Sequence, residues 1–472
     1  MYRLLVSAAH KSSGKTTVAV GLAAALRDRG LAVQPFKKGP DYIDPLWLAT
    51  AAGRDCRNLD LYLSTPDEIE AAYLRACAGA DVALVEGNKG LHDGVALDGS
   101  NSNAALAALL DLPVVLVLDT RGMTRGIAPL VLGYQAFDRR IRIAGVVLNR
   151  VGGSRHESKL RSALEHYTDV PVLGAIQTDP ALNIEERHLG LIPATETGRA
   201  GQRIEQLSRA IAAGVDLDAL LARCGEPGRA PAQSGGPIAA SLRAPDLRIG
   251  VARDRAFGFY YADDLEALQR AGAELVSFDT LQDARLPDVD ALFLGGGFPE
   301  VLAAELAANR PMLAAIRAAV DGGLPTYAEC GGLMLLARSI IWNNVSYPMA
   351  GALAADVVMC ERPVGRGYVH LSETADMPWP RRAASTVKAH EFHHSRLVNA
   401  DPSLRFAYRV QRGHGVDGER DGIVHRNTLA SYAHLRGTGG TDWPARFVEF
   451  ARAIRFGAHR EAHVSMAGGL PR

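Results

Sequence analysis

The first half of the chain alternates short apolar runs with segments whose apolar residues recur at helical spacing. Most of the short runs are rich in β-branched residues and apolar at successive positions, which is typical of strands buried on both faces of a parallel sheet. The alternation therefore predicts a doubly wound α/β domain. One helix is predicted at Thr16–Arg29, with Gly30 as its C-terminal stop. The predicted strands are Leu4–Ala8, Leu31–Phe36, Val82–Val85, Pro113–Leu118, Ile143–Leu148 and Val172–Ile176.

The alternation stops at residues 224–246, where proline, glycine, alanine and serine predominate, so this stretch is predicted to be a linker. It separates a first domain, residues 1–223, from a second domain, residues 247–456. The second domain starts with another α/β pattern and becomes more β-rich after Met349. Residues 457–472 are small and polar, and they are predicted to form a disordered end. The predicted strands of the second domain are Leu247–Ala252, Leu275–Phe278, Ala291–Leu294 and Pro325–Tyr327.

Composition narrows the class of protein. The 472 residues include 52 basic and 52 acidic side chains, a balance that gives no sign of a nucleic-acid-binding surface. The sequence has no signal-peptide pattern and no apolar run near the roughly 20 residues of a membrane span, so we expect a cytoplasmic protein. The cysteines show no paired spacing, which fits a reducing compartment. A cysteine in a distinctive motif is then expected to be reactive rather than part of a structural disulfide. The cysteines are Cys56, Cys77, Cys224, Cys330 and Cys360.

The stretch AHKSSGKTT, residues 9–17, lies between a predicted strand and a predicted helix, which is the context of a phosphate-binding P-loop. Successive backbone N–H groups and the helix N-terminus would bind phosphate oxygens. Lys15 would reach the β- and γ-phosphates, and the Thr16 hydroxyl would bind Mg²⁺. Ala9 stands where the pattern has its first glycine, but a small residue still permits the turn. We predict a nucleotide site here rather than a Gly/Ser-rich helix cap, with Ser12, Ser13, Gly14, Lys15, Thr16 and Thr17 as its binding residues.

Acidic residues follow two of the predicted strands. Asp41 and Asp44 lie in KKGPDYIDP, and Glu86 and Asp93 lie in VEGNKGLHDG. Because ligands bind outside the carboxyl ends of parallel strands, both stretches should face the P-loop, where Mg²⁺ needs only a few carboxylates. For each carboxylate alone, a solvated loop residue is the alternative. Asn149 ends another strand, where it could bind an adenine edge or simply form a turn.

A second candidate site surrounds one cysteine. The stretch YAECGGLM places Cys330 between a short predicted strand and an apolar helix, which is typical of a nucleophile elbow, and a helix N-terminus favours a thiolate. A cysteine nucleophile needs a base, and His434 in ASYAHL is the best candidate. The alternative is a buried structural thiol. The N–H groups of an oxyanion hole would come from Gly296, Gly297 and Gly331.

The segment HEFHH, His390–His394, satisfies the H-E-x-x-H pattern of zinc proteases. That pattern binds zinc only on a helix, where positions i and i+4 share a face. The surrounding sequence starts β-prone and lacks a long helical period, so we predict a strand here and no zinc site.

Several motifs together resemble one family. The stretches KKGPDYIDP, VEGNKGLHDG, GGGFPE, YAECGGLM, HEFHHSRL and ASYAHL occur in an order that resembles the cobyrinic acid a,c-diamide synthase family, over about Leu4 to Leu435. The resemblance implies a dethiobiotin-synthetase-like ATP domain joined to a class I glutamine amidotransferase-like domain. Such enzymes use ATP-Mg²⁺ and glutamine to convert two acetate side chains of a tetrapyrrole into amides.

The resemblance also implies roles for individual residues. Lys15 and Thr16 resemble the phosphate-binding pair, and Cys330 resembles the glutaminase nucleophile, with His434 as its base. Asp41 and Glu86 are implied to lie near Mg²⁺ and the reacting carboxylate. Tyr42 and Asp93 lie in stretches that resemble the lining of the synthetase site, and Asp44 is predicted with them to contact the substrate.

The chain departs from the family pattern near the predicted base. Class I amidotransferases usually carry a glutamate two residues after the catalytic histidine, and here that position is Arg436. Glu391 and Glu329 are the candidates left to orient His434, and it is also open whether any residue does so. Ala389 replaces the glycine that is common before HEFH.

The substrate and the class of function keep alternatives open. Asn88-Lys89 and its surroundings resemble the branch that amidates sirohaem-type macrocycles, so the candidates are cobyrinic or hydrogenobyrinic acid and sirohydrochlorin or sirohaem. A partitioning or metallochaperone ATPase is the second hypothesis, but such proteins commonly carry a lysine where this chain has His10, with Lys11 one place late. A non-catalytic thiol-containing binding module is the third. A homodimer is one assembly compatible with the leading hypothesis.

Overall fold

The computed structural model describes residues 1–184, 186–187, 190–191, 199–226, 244–381 and 386–467. The chain divides into two compact units, Met1–Pro237 and Ile238–Arg472. The division falls inside the stretch predicted as a linker, of which residues 227–243 lie outside the described residues. The start of that stretch is packed within the first unit, because Cys224 is fully buried and its carbonyl accepts a 2.8 Å hydrogen bond from the Arg3 N–H.

A seven-stranded sheet forms the centre of the first unit. Its strands are β1 (Tyr2–Ala8), β2 (Val33–Lys38), β3 (Arg57–Leu59), β4 (Val82–Glu86), β5 (Val114–Asp119), β6 (Ile143–Val151) and β7 (Val172–Gln177). The order is β3-β2-β4-β1-β5-β6-β7, and every pairing is parallel, which confirms the predicted α/β class. After β1 the chain continues to β2, β3 and β4 on one side of β1, and it then crosses to β5 on the other side. The carboxyl end of β1 is thus a topological switch point, where ligands of such sheets bind.

Helices cover both faces of this sheet because its strands are apolar on both sides, and two separate hydrophobic clusters result. The helices are α1 (Lys15–Asp28), α2 (Ile43–Ala52), α3 (Pro66–Ala76), α4 (Asn103–Leu109), α5 (Ile127–Phe137), α6 (Ser154–Tyr167), α7 (Ala200–Gly214) and α8 (Leu217–Arg223). A 3₁₀ turn, Pro180–Leu182, and the short strands β8 (Glu186–Arg187) and β9 (Gly190–Leu191) complete the unit. Helix α1 is rich in alanine and valine and is buried along most of its length, so it holds the loop before it firmly.

A nine-stranded mixed sheet forms the centre of the second unit. The strands of this unit are β10 (Leu247–Ala252), β11 (Phe257–Phe259), β12 (Ala273–Phe278), β13 (Ala291–Leu294), β14 (Gly296–Gly297), β15 (Thr326–Glu329), β16 (Ser339–Trp342), β17 (Val345–Pro348), β18 (Asp356–Met359), β19 (Gly365–Glu373), β20 (Val387–His393), β21 (Ser395–Val398), β22 (Arg405–Arg412), β23 (Arg420–His425) and β24 (Thr428–Ser431). The large sheet has the order β12-β10-β13-β15-β24-β23-β22-β19-β20. Its first five strands are parallel, and the remaining pairings are antiparallel. The β-rich sequence after Met349 supplies the antiparallel half.

The helices of the second unit are α9 (Ala262–Arg270), α10 (Ala303–Ala308), α11 (Arg310–Asp321), α12 (Gly331–Leu336) and α13 (Trp443–Ala467). Helix α13 corrects the predicted disordered end, because residues 457–467 continue the helix and 468–472 lie outside the described residues. Its first turns bury Trp443, Phe447 and Val448, and a helix nucleated by such packing propagates at little cost. Across the described part of the chain, no helix combines the length and the apolar character needed to span a bilayer.

Candidate functional site

The loop at the carboxyl end of β1 is held in shape by its own residues and by Asn149. Gly14 lies in the left-handed region at φ 88°, and a Cβ there would lie 2.1 Å from the Asn149 side-chain nitrogen. That nitrogen donates a 2.9 Å hydrogen bond to the Ser13 carbonyl, and the Ser13 hydroxyl donates a 2.8 Å bond to the His10 carbonyl. The Asn149 amide therefore contacts the P-loop itself, a contact that the sequence did not predict.

Ala9 fits the loop for a simple geometric reason. It does not adopt a positive φ, so the first position of the loop makes no demand that only glycine could meet. Its carbonyl accepts a 2.6 Å hydrogen bond from the Tyr134 hydroxyl, which ties the loop entrance to α5. Ser12, at φ 63°, is the residue that bends the loop in the left-handed region before Gly14.

Four charged side chains gather around Thr16 below the loop. The Thr16 hydroxyl donates a 2.6 Å hydrogen bond to Glu86 and lies 3.4 Å from an Asp44 oxygen. Lys37 is buried among the carboxylates: it hydrogen-bonds Asp44, and its Nζ lies 3.3 Å from Glu86 and 3.9 Å from Asp41. The structure therefore brings Asp41, Asp44 and Glu86 together beside the loop, with a lysine that the sequence analysis missed. The signal was available, since β2 extends two residues beyond the predicted strand and ends in Lys37-Lys38.

The electrostatics of this cluster are those of a desolvated site. Burial raises the pKa of the fully buried Glu86 carboxyl, against the opposing charge of Lys37. Burial alone would lower the pKa of Lys37, but the charges of Asp44, Glu86 and Asp41 outweigh it and raise that pKa. Burial, with the charge of Lys37, lowers the pKa of Lys15 at the start of α1.

The donor set fits a hard cation that is brought in with phosphates. Among the described residues, the second carboxylate oxygen of Glu86 is buried and accepts no hydrogen bond. The same part of the chain contains no ready-made cage of three or more His, Cys, Asp or Glu side chains for a metal ion. Mg²⁺ does not need one, because it keeps several waters and takes one or two carboxylates besides the phosphates. Thr16 and Glu86 are therefore suited to hold Mg²⁺, with Asp41 and Asp44 next to them.

Two other predicted site residues lie on the loops around this cluster. Tyr42 is nearly buried and immediately precedes α2, whose first turn carries Asp44. Asp93 accepts a 2.9 Å hydrogen bond from the Gly90 N–H, and its charge acts on Lys15. The charge of Asp93 therefore reaches the P-loop lysine, and Tyr42 lies on a loop at the carboxyl end of a neighbouring parallel strand.

The loop after β4 is organised by an asparagine that the sequence analysis missed. The Asn103 amide nitrogen donates hydrogen bonds of 2.5 Å to the Asn88 carbonyl and 2.7 Å to the Gly90 carbonyl. Its oxygen accepts a 3.0 Å bond from the Asn88 N–H. Lys38 is bonded to the Asn101 carbonyl at 2.6 Å and to the Asn88 side chain at 3.1 Å, and burial lowers its pKa to about 8. Asn88 is thereby fixed on both its backbone and its side chain.

In the second unit, Cys330 occupies a strained turn between β15 and α12. Its φ of 48° and ψ of −98° lie outside the usual regions for a residue with a side chain. The turn is held by a 2.7 Å hydrogen bond from the Cys330 N–H to the Ser431 carbonyl. A Cβ at Gly332 would lie 2.1 Å from the Leu294 carbonyl oxygen, so only glycine allows the helix to start this close to the neighbouring strand. Strain of this kind is characteristic of functional sites.

His434 lies beside the thiol. It hydrogen-bonds Cys330, and its Nδ1 is 3.5 Å from a carboxylate oxygen of Glu329. Burial opposes protonation of His434, but the hydrogen bonds and charges of Cys330 and Glu329 outweigh it and raise its pKa to about 10. A protonated imidazole beside a nucleophilic sulfur is placed to give its proton to a leaving group.

The glycines predicted to form an oxyanion hole lie next to this pair. A Cβ at Gly296 would be 2.7 Å from Cε1 of His434, and a Cβ at Gly331 would be 3.1 Å from the Gly297 nitrogen. The three glycines therefore lie close to one another and to the Cys330–His434 pair, although they come from two strand ends separated in the sequence. A side chain on Gly296 would displace the predicted base.

The HEFHH segment is not a helix. Residues Val387–His393 form strand β20, and His394 follows directly after it, so the first and last histidines of the segment do not share one face of a helix. The prediction of a strand here is therefore confirmed. His390 instead stacks on His434, with ring centroids 4.9 Å apart, and His393 stacks on Tyr432 at 3.9 Å.

Comparison with known proteins identifies relatives of both units. The family model described as "CobQ/CobB/MinD/ParA nucleotide binding domain" matches residues 5–192, and "CobB/CobQ-like glutamine amidotransferase domain" matches residues 248–439. A cobyrinate a,c-diamide synthase of Magnetococcus marinus is 46% identical to this chain, over 95% of this chain and 97% of the relative. A protein of the same description from Methanosarcina acetivorans is 42% identical, over 96% of each chain. Among solved structures, a glutamine amidotransferase is 20% identical with a TM-score of 0.32, and the match covers 43% of this chain and 98% of that one.

Proposed function

Because the chain belongs to the cobyrinate a,c-diamide synthase family and is a glutamine-dependent amide ligase, we propose that it amidates the a and c acetate side chains of cobyrinic or hydrogenobyrinic acid with ATP and glutamine. One observation supports this above the others. A single chain carries a strained cysteine hydrogen-bonded to a histidine and, in its other unit, a P-loop beside buried carboxylates. The first arrangement suits the release of ammonia from an amide, and the second suits the activation of a carboxylate.

In the first unit, the proposed reaction is the transfer of a phosphoryl group to the substrate. A substrate carboxylate oxygen attacks the γ-phosphorus of ATP, ADP leaves, and the product is an acyl phosphate. Lys15 and the loop N–H groups hold the phosphates, and Thr16 with Glu86 holds the Mg²⁺ that neutralises their charge. Ammonia then attacks the acyl carbon, and inorganic phosphate leaves with the former carboxylate oxygen.

In the second unit, the proposed reaction releases that ammonia. The Cys330 sulfur attacks the side-chain amide carbon of glutamine, and protonated His434 gives its proton to the leaving nitrogen. The N–H groups of Gly297 and Gly331 would stabilise the negative oxygen that forms. Water then hydrolyses the thioester to glutamate and restores the thiol. Since ammonia is mostly protonated at neutral pH, its local production supplies the neutral nucleophile.

Two variants test this division of labour. Cys330→Ala should lose glutamine-dependent amidation and keep amidation driven by added ammonium salt, because the first unit does not use the thiol. Lys15→Ala should lose amidation with either nitrogen source and keep part of its glutaminase activity. A Cys330→Ala protein that still hydrolyses glutamine, or a Lys15→Ala protein with full synthetase activity, would show the assignment to be wrong.

The identity of the macrocycle needs a direct comparison of substrates. Asn88, which carries the likeness to the sirohaem-amidating branch, is fixed beside Lys38 and the P-loop region. Because this likeness suggests a second macrocycle, cobyrinic acid and sirohydrochlorin should be offered side by side with ATP and glutamine. The products are then identified by mass spectrometry. We expect the diamide of cobyrinic acid, and exclusive amidation of sirohydrochlorin would contradict this choice of substrate.

A further inference from the structure

Glu329 is locked in place beside the candidate base. It is buried, and one carboxylate oxygen accepts a 2.9 Å hydrogen bond from the Leu435 N–H and another bond from the Tyr327 hydroxyl. The other oxygen lies 3.5 Å from Nδ1 of His434. Tyr327 is itself packed in an aromatic cluster with Phe293 and Trp443, so the carboxylate has little freedom to move.

The other glutamate that could orient His434 is committed elsewhere. The two carboxylate oxygens of Glu391 accept hydrogen bonds of 2.7 Å from the His414 N–H and 2.8 Å from the Gly415 N–H. Glu391 therefore holds the loop between β22 and β23. Arg436, which follows the base by two residues, is turned toward Asp263, with a 2.9 Å contact.

One face of the His434 ring is covered by the imidazole of His390. His390 stacks on it, and the two residues exchange backbone hydrogen bonds of 2.8 and 3.2 Å. The Tyr261 hydroxyl lies 3.3 Å from Nδ1 of His390, and the Arg436 guanidinium lies over the Tyr261 ring. Burial, with the positive charges of His434 and Arg436, lowers the pKa of His390. The groups whose hydrogen bonds and charges act most on His434 itself are Glu329, the last residue of β15, and Cys330 in the turn that follows it.

We propose that Glu329 is the positioning residue of the glutaminase site, which holds the Nδ1–H of His434 so that Nε2 faces the Cys330 sulfur. The nucleophile and the group that orients its base are then consecutive residues of one strand end. This explains how the site works with Arg436 at the position two residues after the histidine. The inference rests on the proposed role of Cys330 in glutamine hydrolysis.

The test compares Glu329→Gln with the matched control Glu391→Gln in the full-length protein. Both substitutions remove one buried negative charge, but only the first removes it from His434. The rate of Cys330 alkylation by iodoacetamide is measured against pH, with the modified peptide identified by mass spectrometry. Glutaminase kcat and KM and ammonia-driven amidation are measured on the same preparations.

In Glu329→Gln we expect the upper inflection of the alkylation profile, which reports loss of the His434 proton, to move to lower pH. The glutaminase kcat should fall at least about tenfold with little change in KM, because an orienting carboxylate acts on the base rather than on substrate binding. Glu329→Asp should recover part of both losses. Glu391→Gln should keep the profile of the unchanged protein, and both proteins should keep ammonia-driven amidation.

The inference is overturned if Glu329→Gln alkylates and hydrolyses glutamine like the unchanged protein, or if Glu391→Gln gives the same shift in pH. Ammonia-driven amidation shows that each variant is folded in its first unit, and the partial recovery in Glu329→Asp shows that the second unit is intact. If Cys330→Ala still hydrolyses glutamine, the proposed function fails instead, whatever the Glu329 variants do.

Discussion

Replacing Gly14 by alanine should weaken nucleotide binding by an amount that the structure allows us to work out. Alanine at φ 88° costs about 1–2 kcal/mol as a left-handed residue. Its Cβ would also lie 2.1 Å from the Asn149 side-chain nitrogen, so the amide must move and lose its bond to Ser13, at about 1 kcal/mol. The sum is about 2–3 kcal/mol. ATP binds the loop in its native shape, so this cost is subtracted from the free energy of nucleotide binding. The Kd of ATP should therefore rise by about 30- to 150-fold.

The control for this prediction is Asn149→Ala, alone and combined with Gly14→Ala. Asn149→Ala alone loses only the hydrogen bond to Ser13 and should raise the Kd about fivefold. Because Gly14→Ala already breaks that bond, the double variant should bind no more weakly than Gly14→Ala alone. Isothermal titration calorimetry with a non-hydrolysable ATP analogue and Mg²⁺ measures each Kd, and glutaminase activity reports on the second unit. If the two losses add in the double variant, the contact between Gly14 and Asn149 does not hold the loop, and the reasoning fails.

Three other predictions concern packing and charge. Gly332→Ala places a Cβ 2.1 Å from the Leu294 carbonyl, so glutaminase activity and the Tm of the second unit should both fall while ATP binding persists; an unchanged Tm would refute this close approach. Lys37→Met leaves buried carboxylates without their cation and should cost about 3–5 kcal/mol in urea unfolding, whereas a cost near zero would contradict the ion-pair role. The pKa of His434 is raised from 6.5 to about 10 on folding, so its charge stabilises the protein fully below pH 6.5 and loses that effect as the pH rises through 10. The difference in Tm between the unchanged protein and His434→Gln should accordingly shrink over this interval, and a difference that grows with pH would show the sign to be wrong.

The sequence predicted the first unit well because its signals are local. Each predicted strand of the first half overlaps a strand of the seven-stranded sheet, and α1 begins one residue before the predicted start. The most important error concerned the end of β2, which was predicted at Phe36 but lies at Lys38. The prediction stopped before the lysines because a charged residue was not expected inside the core. Lys37 is tolerated there only because Asp44 and Glu86 arrive from other segments, which no short window of sequence reveals.

The second unit shows how far local signals reach. The turn at Cys330 could be predicted, because an apolar strand, a cysteine and two glycines before an apolar helix are neighbours in the chain. The length of α13 could not, because small and polar residues at 457–467 give a weak helical signal after a strongly packed start. The assignment of Cys330, His434 and the glycines to catalysis remains a prediction, supported by their proximity.

The amino-acid order alone was enough for the α/β class, the position of the P-loop and the family resemblance, because these depend on residues that are close in the chain. Only the tertiary structure decided which distant groups meet. Thr16 contacts a carboxylate 70 residues away, and the choice between Glu329 and Glu391 beside His434 depends on strand order and pairing. Hydrophobic periodicity specifies which face of each element is buried, but it does not specify its neighbours, and buried polar contacts depend on those neighbours.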